Sequence, residues 1–152
     1  MAILPKKILC PVDFSDPSRV AAEHAVAVAK QVGAEVLVLH AWELPLAATG
    51  LALEGMAWAG NTALAQLEPL YREELQKFMT KLKTDGVRVE SRLEQGSAAA
   101  TILKTAETWK ADWIVMGSEG RTGVARWLLG SVAHRVVSGA HCPVLTVRAQ
   151  RA

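Results

Sequence analysis

The sequence predicts one α/β domain over residues 1–152, built on a doubly wound parallel sheet of five strands with helices on both faces. Short apolar runs alternate with longer segments of helical periodicity along the chain, which is the pattern of strand–helix–strand units. Hydrophobic residues make up 51% of the chain and charged residues 21%, so a hydrophobic core is expected. One strand-like run alternates between apolar and charged residues, and the simplest strand order that places it at an edge is 3-2-1-4-5.

The first strand is predicted at residues 8–12, an apolar run that Asp13 closes. The serines that follow and Asp16 are candidate caps of a helix in which Pro17 suits the first turn. Gly33 is expected to end this helix. Its apolar face, taken at helical spacing, comprises Ala21, His24, Ala25, Val28 and Val32.

The second strand is predicted at residues 36–41, and the segment after it is the least regular part of the chain. Residues 43–61 are rich in Ala, Gly and Leu, and we expect a long, partly ordered loop or lid there. A long helix follows, with Pro69 marking either its start or a kink. Glu73 and Lys77 form an exposed pair on this helix in the favourable orientation. Its apolar stripe comprises Leu64, Leu67, Tyr71, Leu75, Phe78 and Leu82.

The second half of the chain supplies three more strands and two helices. Residues 87–94 alternate apolar or small residues with charged ones, as an edge strand with one wet face does. A buried strand at 113–116, a helix at 131–138 and a short strand at Val144–Val147 complete the pattern. Between the third and fourth strands, Ser97 is the candidate cap of a helix whose inward residues are Ala99, Ile102, Leu103 and Ala106.

The predicted sheet brings distant segments to one crevice. The chain leaves strands 1 and 4 in opposite directions, and sheets of this kind bind ligands at the carboxyl ends of such strands. The last helix begins after a glycine, and its free N–H groups favour an anion. We therefore expect the crevice to hold phosphate groups. The residues expected there are Pro11, Val12, Asp13, Met116, Gly117, Gly130 and Ser131.

Composition and motifs narrow the function classes. The net charge is only +2, basic runs are missing and aromatic residues are 5% of the chain, which argues against nucleic-acid binding. Neither a signal peptide nor a membrane-spanning segment is visible, and Cys10 and Cys142 suit buried thiols, so we expect a cytoplasmic protein. The P-loop, the dinucleotide G-x-G-x-x-G and the G-x-S-x-G elbow are all missing. We therefore assign no catalytic residue and leave metal ligands unassigned.

The glycine spacing resembles that of a known family. Gly117-x-x-Gly120, followed after nine residues by Gly130-Ser131, resembles the ATP-binding signature of universal stress proteins. The similarity extends through G-R-T-G-V-A-R-W-L-L-G-S-V-A-H-R-V-V, C-P-V-L-T-V-R and the early I-L-C-P-V-D-F-S. The resemblance implies a small cytoplasmic module that binds adenine nucleotides, is usually a homodimer, and is linked to stress survival rather than to a defined catalytic step.

The resemblance also implies roles for individual residues. Asp13 would contact the adenosine half of the ligand, and Ala41 would line the adenine pocket. The residues that would wrap the ribose and phosphates are Met116, Gly117, Glu119 and Gly120. Those that would bind the phosphates through backbone and hydroxyl groups are Gly130, Ser131 and Val132.

Glu119 departs from the family pattern, in which this position often carries His or another non-acidic side chain. Its carboxylate would repel a triphosphate, point outward, or take part in holding Mg²⁺. ATP is the expected ligand, with ADP and AMP kept as alternatives. Arg121 and Arg126 flank the motif and are candidates for neutralising phosphate charge.

The last strand predicts an association. Val144–Val147 is short and apolar and would lie at an exposed sheet edge. Two copies could pair antiparallel through it about a two-fold axis, which predicts a homodimer.

Three functions stay open on the sequence. The first is a regulatory binding module whose nucleotide state alters a partner interaction. The second is a slow ATPase or self-phosphorylating protein, which the lack of a P-loop lysine or positioned base argues against. The third is a dimeric interaction module of the same fold that binds no nucleotide, which the intact glycine spacing argues against.

Overall fold

The computed structural model describes residues 4–44, 57–119 and 129–149, with the backbone alone at 57–64. Strands and helices alternate throughout these residues, and the strands form one parallel sheet in the order β3-β2-β1-β4-β5. The predicted fold class and strand order are confirmed. The elements are β1 (Lys7–Pro11), α1 (Asp16–Val32), β2 (Glu35–Trp42), α2 (Ala57–Lys81), β3 (Val89–Gln95), α3 (Ala98–Trp109), β4 (Trp113–Gly117), α4 (Ser131–Gly139) and β5 (Val144–Val147).

The central strands are buried on both faces. In β1, Ile8 and Cys10 lie in the cluster packed against α1 and α2, whereas Leu9 lies in the cluster packed against α3 and α4. In β2, Val38 and Leu39 divide in the same way between the two clusters. Burial on both faces explains why these strands read as continuous apolar runs in the sequence. Helices cover both sides of the sheet, as predicted.

Helix α1 begins and ends at the residues that the sequence indicates. Ser15 is the N-cap, its hydroxyl accepting from the Ser18 N–H, and Gly33 ends the helix in the left-handed conformation at φ 72°. The prediction that His24 faces the core is wrong, because its side chain is exposed and its Nδ1 lies 2.9 Å from the Val20 carbonyl oxygen. The buried residues of α1 are Ser18, Ala21, Ala22, Ala25, Val26 and Ala29.

Helix α2 begins earlier than expected. Its first residue is Ala57, so the loop predicted over 43–61 extends too far, and residues 45–56 lie outside the described part of the chain. Pro69 lies inside the helix and does not mark its start. The high helix propensity of the Ala- and Leu-rich segment outweighs the cost of its Gly and Pro residues. Neither α2 nor another helix of the described residues is long and apolar enough to cross a membrane.

Polar features around the sheet agree with the sequence in most respects. Glu73 and Lys77 form the predicted pair, 2.8 Å apart, on the exposed side of α2. Strand β3 lies at the edge of the sheet, as its alternating pattern predicts. Ser97 occupies the N-cap position of α3, but its side chain makes no capping hydrogen bond.

Both cysteines are free thiols. Burial raises the pKa of Cys10 to about 12. Burial also raises the pKa of the Cys142 thiol, and the negative charge of Asp112 raises it further. Since the thiolate is the nucleophilic form, the buried Cys10 side chain is unreactive near neutral pH and acts as a small apolar group.

Gly117 allows β4 to pack directly on the first turn of α1. A Cβ at this position would lie 3.0 Å from the backbone carbonyl carbon and the Cβ of Pro17, and 3.1 Å from the Ser18 nitrogen. These are backbone and ring atoms, which cannot give way without moving the helix. Gly117 is therefore required for packing, whatever else it contacts.

We expect Gly117→Ala to lower the free energy of unfolding by about 1–3 kcal/mol, because the added methyl group overpacks the β4–α1 contact. Urea denaturation followed by circular dichroism measures this loss. Gly139→Ala is the matched control, since its added Cβ meets chiefly the flexible end of Leu103, with Cδ1 at 2.8 Å. We expect the control to lose less stability, and equal losses in the two variants would contradict this account of Gly117.

Candidate functional site

A crevice opens between the carboxyl ends of β1 and β4, where the chain leaves the two strands in opposite directions. β1 stays paired with β2 as far as Pro11, which lies opposite Leu39, but its pairing with β4 runs only to Leu9 opposite Ile114. The Val12 N–H donates to the Leu39 carbonyl oxygen at 2.8 Å, toward β2. Because backbone N–H groups alternate sides along a strand, the nitrogen of Pro11 faces β4, and it has no hydrogen to donate there.

The crevice has an apolar part and a polar part. The apolar part is formed by side chains of β2 and α3, which are Leu39, Ala41, Ala98 and Ile102. The polar part is formed by the end of β4 and the start of α4, with Ser118, Glu119, Gly130 and Ser131. A ligand that fills it needs one apolar end and one hydrogen-bonding end.

Asp13 lies on the crevice wall and also organises the loop between β1 and α1. Its Oδ1 accepts hydrogen bonds from the backbone N–H of Ser15, at 3.0 Å, and from the Ser15 hydroxyl. Its own N–H lies 3.3 Å from the hydroxyl oxygen of Ser18. This carboxylate therefore arrives at the crevice already oriented by the first turn of α1.

The segment between Val12 and Phe14 is held from the opposite face of the sheet. The buried His40 ring donates from Nδ1 to the Val12 carbonyl oxygen, 2.7 Å away, which assigns the tautomer protonated at Nδ1. Phe14 has φ 65°, uncommon for a bulky residue, and its ring centroid lies 4.3 Å from that of His40. Tyr71 of α2 also packs on His40, with ring centroids 5.4 Å apart. Packing thus holds Phe14, the residue that follows the crevice wall, in an uncommon backbone conformation.

The N-terminus of α4 supplies hydrogen-bond donors to the polar part. Gly130 is the N-cap, and no side chain caps the helix there. The Gly130 N–H is taken by the Ser118 carbonyl oxygen at 2.7 Å, so the donors available at this end are the N–H groups of the next three residues. Gly130 has φ −58°, which any residue adopts, so its own conformation does not require glycine. Glycine would be required here if a ligand approached the backbone of residue 130 closely.

The predicted site residues come together. Ten of them line the crevice, which are Pro11, Val12, Asp13, Ala41, Met116, Gly117, Glu119, Gly130, Ser131 and Val132. Gly120, Gly123, Arg121 and Arg126 lie outside the described residues. Within the described ranges, no group of three or more His, Cys, Asp or Glu residues is placed to hold a metal ion.

The sequence analysis missed several lining residues, which are Ser18, Leu39, Ala98, Ile102, Ser118 and Ala133. Leu39 could have been found, because it lies two residues before Ala41 on the same strand and therefore on the same face. Ala98 and Ile102 face the crevice only because α3 packs across the end of β2, which no local pattern shows.

Comparison with known proteins gives consistent matches. The family model described as "Universal stress protein family" matches residues 5–148. Universal stress protein MJ0531 of Methanocaldococcus jannaschii is 42% identical over 144 residues, covering 94% of this chain and 82% of that protein. Universal stress protein YxiE of Bacillus subtilis is 32% identical over 146 residues, covering 93% and 98%.

Solved structures show the same architecture. The structure of protein MJ0577, described as a structure-based assignment of biochemical function, has a TM-score of 0.82 and 28% identity, covering 99% of this chain and 100% of that one. Universal stress protein UspA from Lactobacillus plantarum has a TM-score of 0.70 and 24% identity, covering 97% and 100%. At the latter identity the likeness concerns the fold.

Proposed function

Because the chain belongs to the universal stress protein family, we propose that it is a stress-response module that binds an adenine nucleotide in the crevice between β1 and β4. The observation that carries the proposal is the division of this crevice into an apolar part and a donor-rich part. The proposed ligand is ATP, with ADP and AMP as alternatives, and the proposed unit is a single nucleotide-binding domain over residues 1–152.

Each part of the crevice suits one part of the nucleotide. Small side chains, Ala41 and Ala98, leave width for a flat base, and Leu39 and Ile102 offer it apolar contacts. The N–H groups that begin α4 favour the phosphates by hydrogen bonding and through the helix dipole. Asp13 lies between the two parts in our proposal and contacts the adenosine half.

We propose a binding function rather than catalysis. The carboxylates lining the crevice are Asp13 and Glu119, and Oδ1 of Asp13 already accepts two hydrogen bonds from Ser15. Phosphoryl transfer requires a positioned base or water-orienting group together with charge neutralisation at the terminal phosphate. The candidates for supplying this charge, Arg121 and Arg126, lie outside the described residues. We propose the cytoplasm as the compartment, since both cysteines are free.

Nucleotide recovery tests the proposal directly. Purified protein is denatured and the supernatant is chromatographed for ATP, ADP and AMP, and an empty preparation is titrated with ATP. We expect a recovered nucleotide or saturable binding. ADP alone, recovered after loading with ATP, would favour the slow ATPase instead. A protein that is empty and does not bind added ATP would support the module that binds no nucleotide.

We expect Gly130→Glu to abolish nucleotide retention and to leave the fold intact. The new carboxylate would lie at the N-terminus of α4, where it would occupy and repel the site of an anion, while φ −58° is accessible to Glu. Equilibrium dialysis with ATP measures retention, and circular dichroism checks the fold. Ser138→Glu, which puts the same charge on an exposed position near the other end of α4, is the control and should bind normally. Unchanged affinity in Gly130→Glu would show that the site is misplaced.

Glu119→Gln tests whether the Glu119 carboxylate repels the phosphates of the nucleotide. Repulsion of about 1 kcal/mol between this carboxylate and a triphosphate predicts that ATP binds about fivefold more tightly to the variant. AMP, with less charge, should gain less. Titration calorimetry without Mg²⁺ measures both affinities. If Glu119 instead helps to hold Mg²⁺, the variant will lose affinity for ATP in the presence of the ion, which would contradict the repulsive role.

We also propose a homodimer formed through β5. Among the described residues this strand is paired on one side only, by β4, and lies at the edge of the sheet. Leu145 of β5 and Val137 of α4 are 40% and 45% exposed, which is high for large apolar side chains. Antiparallel pairing of two such edges would satisfy the unpaired backbone groups and cover part of this apolar surface.

Sedimentation at micromolar concentration tests the dimer, and Thr146→Pro should make it a monomer. The carbonyl oxygens of Pro143 and Val147 accept from β4, so the Thr146 N–H, which the substitution removes, points away from β4. Circular dichroism should show that the variant keeps its fold. A wild-type protein that sediments as a monomer would rule out the proposed dimer.

A further inference from the structure

One polar group at the crevice has no partner within the described chain. Ser118 directly follows β4, is 4% exposed and lines the crevice. Its hydroxyl oxygen is buried, and it makes no hydrogen bond with any residue that the structure describes. Buried hydroxyl groups in native proteins nearly always have a hydrogen-bond partner. This exception lies in the wall of the site.

The position of Ser118 is fixed by its backbone. Its N–H donates to the Val147 carbonyl oxygen at 2.9 Å, and its carbonyl oxygen accepts from the Gly130 N–H at 2.7 Å. These two bonds tie it to the end of β5 and to the N-cap of α4. The backbone of Ser118 is therefore anchored between the end of β5 and the N-cap of α4.

The buried hydroxyl has a cost that alanine would avoid. An unsatisfied buried donor loses its hydrogen bonds to water and gains nothing in return, whereas a methyl group at the same place loses none. Both backbone groups of Ser118 are already bonded, and they would be bonded in the same way in an alanine. A partner that is not part of the chain would account for the serine.

We propose that the Ser118 hydroxyl donates a hydrogen bond to a phosphate oxygen of the nucleotide, an inference that rests on the proposed function. The phosphate end is favoured because Ser118 is bonded to the N-cap of α4, whose N–H groups attract anions. A neutral donor also suits this wall, since Glu119, the next residue, already brings a negative charge. Ser118 would thus add to the donors of α4 without changing the net charge of the crevice.

Ser118→Ala distinguishes a binding role from a structural role, because the two predict different changes in the melting temperature of the nucleotide-free protein and in its affinity for AMP. We expect the nucleotide-free variant to melt at the wild-type temperature or above it, because the unsatisfied hydroxyl is gone. We expect its affinity for AMP to fall about tenfold, as the loss of a hydrogen bond to a charged group predicts. Adenosine, which has no phosphate, should bind as tightly as to the wild type. Scanning calorimetry of nucleotide-free protein and titration calorimetry with AMP and adenosine measure these quantities.

Two further variants keep the test decisive. Ser138→Ala, at an exposed position of α4 that does not line the crevice, should change neither affinity. Ser118→Cys keeps nearly the same volume with a weaker donor, so it should also weaken AMP binding if Ser118→Ala does not fold.

The outcomes separate this inference from the proposed function. Wild-type protein that binds neither AMP nor ATP would overturn the proposed function itself. If the wild type binds nucleotide and Ser118→Ala binds AMP with the same affinity, only the role of Ser118 is overturned. The same holds if the nucleotide-free variant is less stable than the wild type and still binds AMP normally. An equal loss for adenosine and AMP would overturn the assignment to a phosphate oxygen.

Discussion

The early end of the pairing between β1 and β4 is the feature on which the rest of the site depends. The chain passes from β1 to one side of the sheet and from β4 to the other, which leaves a crevice between their carboxyl ends among the described residues. Pro11 reinforces the separation, because its nitrogen faces β4 without a hydrogen to donate. The two walls that result, β1 with its following loop and β4 with α4, are each held by interactions elsewhere in the fold.

Those supporting interactions explain why residues at the crevice have more than one role. Asp13 lines the crevice while its carboxylate organises the first turn of α1 through Ser15. Gly117 ends β4 at the crevice, and it must also lack a side chain because a Cβ there would crowd Pro17. His40, on the opposite face of the sheet, bonds to the Val12 carbonyl and packs on Phe14. A rigid site needs support of this kind, since a wall free to relax would lose its geometry.

Different parts of the structure could be predicted to different extents. The core strands were located from their apolar runs, and the ends of α1 from its candidate caps and Gly33, because these signals are local. The structure then selects Ser15 among the candidate N-caps. His24 was misplaced because the face of α1 is set by what α1 packs against, and helical spacing alone allows neighbouring faces. Residues 57–61 were assigned to a loop because Gly60 and the irregular pattern of this segment are not typical of a helix. In the structure they are helical, because the helix propensity of the neighbouring Ala and Leu residues prevails.

The sequence by itself determined the sheet order and most of the crevice wall. Seven of the residues that line it were predicted from strand ends and a helix start, which are local features that parallel topology brings to one edge. Ala41, Glu119 and Val132 were predicted from the family resemblance. Only the tertiary structure decided the apolar side of the crevice, which Ala98 and Ile102 form once α3 has packed across β2. It also decided that the Ser118 hydroxyl is buried without a partner among the described residues. The physical reason is the same in both cases, since burial and hydrogen bonding depend on neighbours that are distant in the chain.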